Sequence, residues 1–501
     1  MEEDMDGSLI HLPGTDNNHN NNNNNVNDRR SHSTEDAFLG TPHIQEGDEE
    51  PLIVSDDPYV QDIVPHSKDP RYAPRDRWNM AFLLMVLIGM GTSYPWAFFV
   101  TATDYFQYSF RNVSQPDAST RYQSLFETSL AIVSTTCGFI GLALSTVLSR
   151  CVAFRYRVYC GYVVIVVVFT VTTALATRDT DAWQGGFFVV TMGSVFLINL
   201  ANSIVCGGIF GMQGCLPTQF TTAMMIGQPL AGVVAVLAEV LSILSGDGSP
   251  SAVRNEATGY FGSAIAATIL CVFAFTYFQR LPLAKYYLGS VSGKTDVGRI
   301  ENLDRSLGSS DSASYPIVQK VPFPTKLVLR RTWKTGLALI LNFFVTMAVY
   351  PAIAAAVRSV NASNGSIFTN ELFLPLTCFL IMNVGDFIGR WTFGFLLYPR
   401  AEQDILTLVL SIMRFALIPL LMLCNAQPRK LLPVFFGDVI YVLLITILAF
   451  TNGYLGNLGI MYGPKLVPVT AAETTGTLMG LYLNAGLWLG SILSFALVYF
   501  L

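Results

Sequence analysis

The feature that most constrains this chain is a series of apolar stretches that recurs from residue 79 onward. Each stretch is about 20 residues long, enough to cross a ~30 Å hydrocarbon layer as one helix. Because lipid offers backbone groups no hydrogen-bond partners, such stretches must be helical, and the sequence predicts an all-α membrane protein. We expect eleven transmembrane helices, near residues 79–103, 124–149, 158–176, 185–215, 219–245, 258–279, 333–357, 371–397, 405–424, 432–455 and 473–500.

The charged residues are unevenly distributed. They make up only 13% of the chain, and residues 1–77 hold 17 of the 35 acidic but six of the 30 basic residues. A water-soluble surface needs more charge than the remaining body carries. We therefore predict a disordered, acidic cytosolic tail over residues 1–77, which includes an Asn tract at 17–25, joined to a body that lies in a lipid bilayer.

A polar, Ser-rich and basic segment at residues 280–332 divides the predicted spans into six and five. It predicts an N-terminal six-helix bundle at 78–279, a cytosolic linker at 280–332 and a C-terminal five-helix bundle at 333–501. Carriers built from two halves related by an axis along the membrane normal show such a division.

The loops carry basic residues mainly on one side. If the N-terminus is cytosolic, the inner segments hold 19 Lys and Arg residues and the outer loops hold seven. This bias predicts a cytosolic N-terminus and an outer or lumenal C-terminus. Three Asn-x-Ser sequons, at Asn112, Asn361 and Asn364, then fall in outer loops and predict glycosylation there.

The residue types needed for several chemistries are missing from the apolar body. All five His residues lie in the tail, and the eight Cys residues form no CxxC pair. The segment that begins at Gly289 is one residue short of a phosphate-binding P-loop and follows no predicted strand. We expect no enzymatic activity, no cofactor, no metal and no nucleic-acid partner.

Charged residues inside the spans are the sharpest functional signal, because each costs about 2.5–3.5 kcal/mol at the bilayer centre. In the eighth span Phe379, Asn383, Asp386 and Arg390 follow a spacing that places them along one helix stripe. A buried structural ion pair is one interpretation of Asp386 and Arg390. We favour the wall of a solute cavity, because carboxylate, amide and guanidinium together suit a neutral, hydroxyl-rich ligand.

Three further charges lie deep in the predicted spans. Arg414 in the ninth span needs a partner, and Asp386 is one candidate. Glu239 and Glu473 are the remaining deep carboxyl groups. Desolvation could hold either one neutral, which makes both candidate proton-linked sites.

Several segments resemble the equilibrative nucleoside transporter family, in order along the chain. They are Gly89-Met-Gly-Thr-Ser-Tyr-Pro-Trp96, Gly227-Gln-Pro-Leu-Ala-Gly232, the stretch from Phe379 to Arg390, Thr451-Asn-Gly-Tyr-Leu455 and Tyr462-Gly-Pro-Lys465. The resemblance implies a major-facilitator-like fold, here in a 6+5 arrangement. It also implies alternating-access transport of nucleosides, and in some members nucleobases, down their gradient.

The resemblance also implies roles for single residues. Asn383, Asp386 and Arg390 would form the wall that faces the ribose. Trp96 would line the cavity beside Val100, and Tyr350, which precedes the seventh-span proline, would lie close to it.

The chain departs from the family pattern in its fourth span. Cys206 stands where well-known plasma-membrane members have a Gln that bonds the base, and Asn202 stands where they have Gly. These departures concern base selectivity rather than the class of transporter.

The tail carries a sorting pattern. Asp48-Glu-Glu-Pro-Leu-Ile53 fits the acidic dileucine form [DE]xxxL[LI], in which Asp48, Leu52 and Ile53 would be read by a clathrin adaptor. With the segments Phe110–Ser114 and Asp179–Trp183 it resembles the lysosomal branch of the family. We favour late endosome or lysosome, with the plasma membrane as the alternative. In an acidic compartment Glu239 or Glu473 would make uptake pH-sensitive.

Two other classes of function stay open at this point. A polyspecific organic-cation carrier on the same fold would use an unpaired carboxylate in its cavity. A membrane receptor or enzyme that moves no solute is disfavoured by eleven spans without His or metal motifs.

Overall fold

The computed structural model describes residues 73–101, 103–111, 120–149, 151–178, 183–245, 250–288, 325–362, 366–370, 372–427 and 437–500. The predicted tail with Asp48, Leu52 and Ile53 lies outside these residues, as does the linker from 289 to 324. Within the described ranges regular structure is helical, apart from one isolated bridge between Val357 and Ala426.

Fifteen α-helices follow one another along the described chain. They are α1 (Met80–Thr101), α2 (Thr103–Ser109), α3 (Arg121–Leu148), α4 (Phe154–Ala176), α5 (Gln184–Gln213), α6 (Thr218–Ser245), α7 (Pro250–Arg280), α8 (Pro282–Leu288), α9 (Thr325–Val349), α10 (Ala352–Ala356), α11 (Ile381–Phe395), α12 (Asp404–Met413), α13 (Leu417–Met422), α14 (Asp438–Tyr462) and α15 (Val469–Phe500). A π-helical turn, Pro375–Leu380, leads into α11, and a short 3₁₀ turn, Arg414–Ala416, joins α12 to α13.

Eight helical stretches of the described chain are long and apolar enough to cross a membrane. They are Phe154–Ala176, Gln184–Gln213, Thr218–Leu237, Phe261–Arg280, Lys326–Ala356, Asp404–Met422, Asp438–Leu466 and Thr470–Val498. The other three predicted spans correspond to α1, α3 and α11. In α3 only Ile132–Leu148 is apolar, and α11 has 15 residues of which two are charged. An exact count of eleven therefore remains a prediction.

Several helix boundaries differ from the expected ones, among them the starts of α4 at Phe154 and of α7 at Pro250, and the helix α8 inside the predicted linker. Two of the differences have a local reason. Helix α9 begins at Thr325, inside the segment predicted as linker, because its first turns carry basic side chains that lower the hydropathy. Long basic side chains at a helix end reach the interface and do not prevent helix formation. Helix α14 extends to Tyr462, beyond the predicted end at 455, because the Gly-rich stretch after Thr451 is helical. Glycine is tolerated in membrane helices where two helices approach closely.

Helices α11 and α15 each pack against helices of both predicted halves. Helix α11 packs against α14 and α6, while α15 packs against α9, α3 and α5. Gly389 of α11 and Gly453 of α14 face each other's backbone so closely that a Cβ atom on either would overlap a carbonyl oxygen. This seam brings the polar face of α11 against α14.

Candidate functional site

Asp386 and Arg390 form a buried ion pair on α11. The Arg390 Nη2 atom lies 2.8 Å from Asp386 Oδ2, and the two residues are 4% and 7% exposed. Across the glycine seam, Asn452 Nδ2 of α14 donates to Asp386 Oδ1 at 2.7 Å. Both carboxylate oxygens therefore have donors inside the protein, which offsets the cost of burying the charge.

The second Arg390 nitrogen connects α11 to α6. Nη1 donates to the Met225 carbonyl and to Gln228 Oε1, each at 2.8 Å. Gln228 Nε2 in turn donates to the Thr92 hydroxyl of α1 at 3.2 Å. Polar contacts thus run from α11 through α6 to α1.

Cys206 of α5 lies next to the same series of polar contacts. Its Sγ atom lies 3.8 Å from the Thr92 carbonyl oxygen, which also accepts from Asn202 Nδ2 at 3.0 Å. Both residues are partly exposed. The two family departures therefore contact one backbone carbonyl next to Gln228.

The remaining predicted lining residues are more accessible than the ion pair. Trp96 is 42% exposed, and Tyr350, Phe379 and Asn383 are partly exposed. The Tyr350 and Phe379 rings meet edge to face with centroids 6.1 Å apart. The side chain of Val100, on α1, lies outside the described residues. The predicted wall therefore divides into accessible aromatic and amide groups and a charged pair buried behind them.

The eighth-span stripe is not one regular α-helical stripe. Phe379 lies in the π-helical turn, whereas Asn383, Asp386 and Arg390 lie in α11. Asn383 Nδ2 donates to the Phe379 carbonyl at 2.9 Å, and its side-chain oxygen packs against Gly232 of α6. Asn383 therefore lies where α11 contacts α6.

Asp386 was one candidate partner for Arg414, and the structure does not place the two side chains in direct contact. Among the described residues its guanidinium donates to the Asn342 carbonyl at 2.6 Å and to the Thr346 hydroxyl at 2.8 Å, and also to the Asn342 side-chain oxygen. Asn342 and Thr346 contact Asn452, so Arg414 reaches Asp386 only through intermediates. Charge alone suggested a direct pair, but packing puts α9 between the two residues.

Glu473 was one of two candidates for a proton-linked carboxyl group. Its Oε1 atom lies 2.9 Å from Arg157 Nη2, with both side chains buried. Arg157 also donates to the carbonyl and hydroxyl of Ser145, each at 3.0 Å. The pair joins α4 to α15, and a proton-linked role for Glu473 stays a prediction.

Two other groups of predicted residues are described only in part. Glu239 lies on α6, and its side chain falls outside the described residues. Asn361 is exposed, and its Nδ2 donates to Asp438 Oδ2 at 3.2 Å. Asn112 and Asn364 lie outside the described residues, so glycosylation stays a prediction.

Comparison with known proteins identifies the family to which this architecture belongs. Residues 192–499 match the family model described as nucleoside transporter. Equilibrative nucleoside transporter 1 of Rattus norvegicus is 32% identical over 458 residues, which cover 85% of this chain and 98% of that protein. The chain belongs to the equilibrative nucleoside transporter family. Equilibrative nucleoside transporter 3 of Rattus norvegicus is 30% identical, with coverage of 85% of this chain and 90% of that protein.

A solved structure shows the fold of this nucleoside transporter family member. The proton:xylose symporter XylE of the major facilitator superfamily, bound to 6-bromo-6-deoxy-D-glucose, superposes with a TM-score of 0.54 at 12% identity. The match covers 83% of this chain and 87% of that one. The family member is thus a multi-pass membrane protein with a major-facilitator-like fold, and it is a transporter rather than an enzyme.

Sequence reasoning did not single out several residues that complete the site. Asn342 and Asn452 are fully or almost fully buried amides inside long apolar runs, and Asn452 and Gln228 lie within quoted family segments without having been given a role. An amide in lipid is costly unless it is hydrogen-bonded. That cost was the available signal for Asn342 and Asn452.

Proposed function

We propose that this chain moves nucleosides across a membrane down their gradient by alternating access. The observation that carries the proposal is the buried Asp386–Arg390 pair on the helix that also carries the partly exposed Asn383. Trp96, Tyr350 and Phe379 offer ring surface on which a base can stack. Asn383 and Gln228 offer amides that can bond sugar hydroxyls.

The printed names of the relatives support the same substrate class, since they are equilibrative nucleoside transporters. The proposal includes eleven spans in a 6+5 arrangement, with the N-terminus in the cytosol. In that arrangement α6 meets α11, and α15 meets α3 and α5, across the boundary of the two halves. Motion of one half against the other would open one face of the bundle at a time.

The organic-cation alternative is disfavoured by charge. Such a carrier needs an unpaired carboxylate in its cavity, whereas both Asp386 oxygens accept hydrogen bonds from the protein. The linked cluster holds one carboxylate and two guanidinium groups, those of Arg390 and Arg414. Its surplus positive charge would repel a cationic solute.

Late endosomal or lysosomal residence is the finer part of the proposal, with the plasma membrane as the alternative. It is supported by the tail pattern that ends in Leu52 and Ile53. Replacing both residues with alanine should move the protein to the cell surface if an adaptor reads the pattern. Uptake at about pH 5.5 and about pH 7.4 in such cells would then show whether transport depends on pH.

Flux in a defined membrane tests the substrate class. The full chain, purified and reconstituted in liposomes, should take up radiolabelled uridine or adenosine saturably until inside and outside concentrations are equal. Labelled serotonin, a monoamine, should enter no faster than it enters protein-free liposomes. Saturable serotonin uptake without nucleoside uptake would reverse the assignment.

A further inference from the structure

Arg414 is a buried cation for which nucleoside binding as proposed above has no use. It is 4% exposed. Among the described residues its guanidinium donates only to uncharged oxygens, namely those of Asn342, the Thr346 hydroxyl and the Leu448 carbonyl at 3.0 Å. A buried charge without an adjacent counter-ion is costly. The residues that accept hydrogen bonds from Arg414, and the residues to which these in turn bond, therefore indicate the role of its charge.

Those groups have a fixed direction. A guanidinium can only donate hydrogen bonds, and a carboxylate can only accept them. Arg414 turns the oxygen of the Asn342 amide toward itself, which leaves the Asn342 NH₂ group facing Asn452 at 3.4 Å. The orientation of this first amide is therefore set by Arg414.

The hydrogen bonds of Thr346 run in the same donor-to-acceptor direction, from Arg414 toward Asp386. Its hydroxyl oxygen accepts from Arg414 Nη2 at 2.8 Å, and its single proton can be donated to Asn452 Oδ1, also at 2.8 Å. The other acceptor in reach, the Asn342 carbonyl, is farther away at 3.1 Å and also accepts from Arg414 Nη1, so the shorter bond to Asn452 is favoured. The oxygen of the Asn452 amide is thus occupied, and its NH₂ group is left to face Asp386.

We propose that Arg414 is a positioning residue for the nucleoside site, acting on Asp386 through Thr346 and Asn452. This inference rests on the proposed function and adds the residues that hold Asp386 from behind. Hydrogen bonds in a medium of low dielectric constant polarise one another, so the guanidinium strengthens the bond that Asn452 makes to the carboxylate. A binding group held this way is oriented before the ligand arrives.

The placement of these residues fits such a role. Asn342 and Thr346 lie on α9, Asn452 lies on α14 and Asp386 on α11, all in the predicted C-terminal half. The series of hydrogen bonds that leads from Arg414 through Thr346 and Asn452 to Asp386 can therefore stay intact while that half moves. By contrast, the bonds from Arg390 to α6 cross the boundary between the halves.

Replacement of Thr346 tests the inference with little change in shape. In reconstituted liposomes, Thr346→Val should raise the KM for uridine about five- to tenfold, the effect of losing roughly one net hydrogen bond. The maximal rate per molecule should stay within about twofold. Thr346→Ser keeps the hydroxyl and should restore a KM close to that of the unmodified protein.

Thr268→Val is the matched control, because Thr268 is a buried threonine of α7 whose hydroxyl bonds the Ala264 carbonyl one turn earlier, at 2.7 Å. It should leave the KM unchanged. An unchanged KM in Thr346→Val, or a Thr346→Ser protein as impaired as Thr346→Val, would overturn the positioning role.

Failure of the proposed function can be told apart from failure of this inference. Absence of uridine flux in the unmodified protein would refute the function alone. The thermal unfolding midpoints of Thr346→Val, Asp386→Asn and the double variant then report the connection without a substrate. A loss in the double variant smaller than the sum of the single losses supports the connection, and additive losses overturn it.

Discussion

Two buried ion pairs among the described residues have nearly the same geometry but different connectivity. Asp386–Arg390 spans 2.8 Å within one helix, four residues apart, and Arg157–Glu473 spans 2.9 Å between two helices, from residues 316 apart in sequence. A pair within one helix can persist while helices move as rigid bodies, whereas a pair between α4 and α15 must break if these helices separate. We therefore expect the first pair to stay formed during transport and the second to act as a latch that opens.

The largest effect is expected when the pair within α11 is broken. Asp386→Asn leaves the buried Arg390 guanidinium without its counter-charge, a loss of about 3–5 kcal/mol. Uridine flux in liposomes should fall at least about 100-fold at equal protein content, which requires that about 2.8 kcal/mol of the lost interaction be lost from substrate binding.

The control for this variant is Glu402→Gln, which removes an exposed carboxylate from the loop before α12. It should transport normally. Flux in Asp386→Asn within a few-fold of the unmodified protein would mean that the pair lies outside the transport route.

The pair between α4 and α15 should respond differently to charge exchange. Glu473→Gln removes the attraction that keeps the two helices together and should lower the maximal uridine flux about tenfold, because the closed state is less populated. The double variant Arg157→Glu with Glu473→Arg restores an attractive pair and should recover part of the flux.

The same exchange on α11, Asp386→Arg with Arg390→Asp, should recover nothing. There both charges have fixed further partners, Asn452 for Asp386 and Gln228 for Arg390, which an exchange leaves mismatched. At the other site the exchange disturbs the bonds of Arg157 to Ser145, so the recovery there is only partial. Recovery at both sites, or at neither, would remove the distinction between site and latch.

A smaller effect is expected from a change in the packing of α15, the helix that carries Glu473, against α5. A Cβ atom on Gly476 would overlap the Phe210 carbonyl oxygen of α5, whereas a Cβ atom on Gly193, also on α5, would meet no atom within 4 Å. Gly476→Ala should therefore cost about 1–3 kcal/mol through overpacking and lower the thermal midpoint measured in detergent. Gly193→Ala is the matched control, and equal midpoints in the two variants would show that α15 is not tightly seated.

What the sequence could predict follows from the range of each interaction. Asp386 and Arg390 are one helical turn apart, so periodicity alone placed them side by side. Asn452 follows Asp386 by 66 residues, and Asn342 precedes Asn452 by 110 residues. No local pattern reports such contacts, because tertiary packing creates them.

Arg157 shows a second kind of failure. The hydropathy pattern placed the start of the third span at residue 158, so Arg157 was counted as a basic residue of a loop. In the structure α4 begins at Phe154, and Arg157 is buried. A charged residue that is neutralised by a distant partner looks the same in sequence as one in water. The pairing of Glu473 was missed for the same reason, since its partner Arg157 was counted as a loop residue.

The smallest effect is expected at a third ion pair, which is partly exposed whereas the two others are buried. Lys334 Nζ lies 3.0 Å from Asp404 Oδ2 and joins the first turns of α9 to the start of α12, but the two side chains are 34% and 27% exposed. Ion pairs screened by water contribute about 0–1 kcal/mol. Asp404→Asn should therefore change the uridine flux less than about twofold and leave the thermal midpoint nearly unchanged. A loss comparable to that of Glu473→Gln would show that burial is not what separates a latch from an ordinary surface contact.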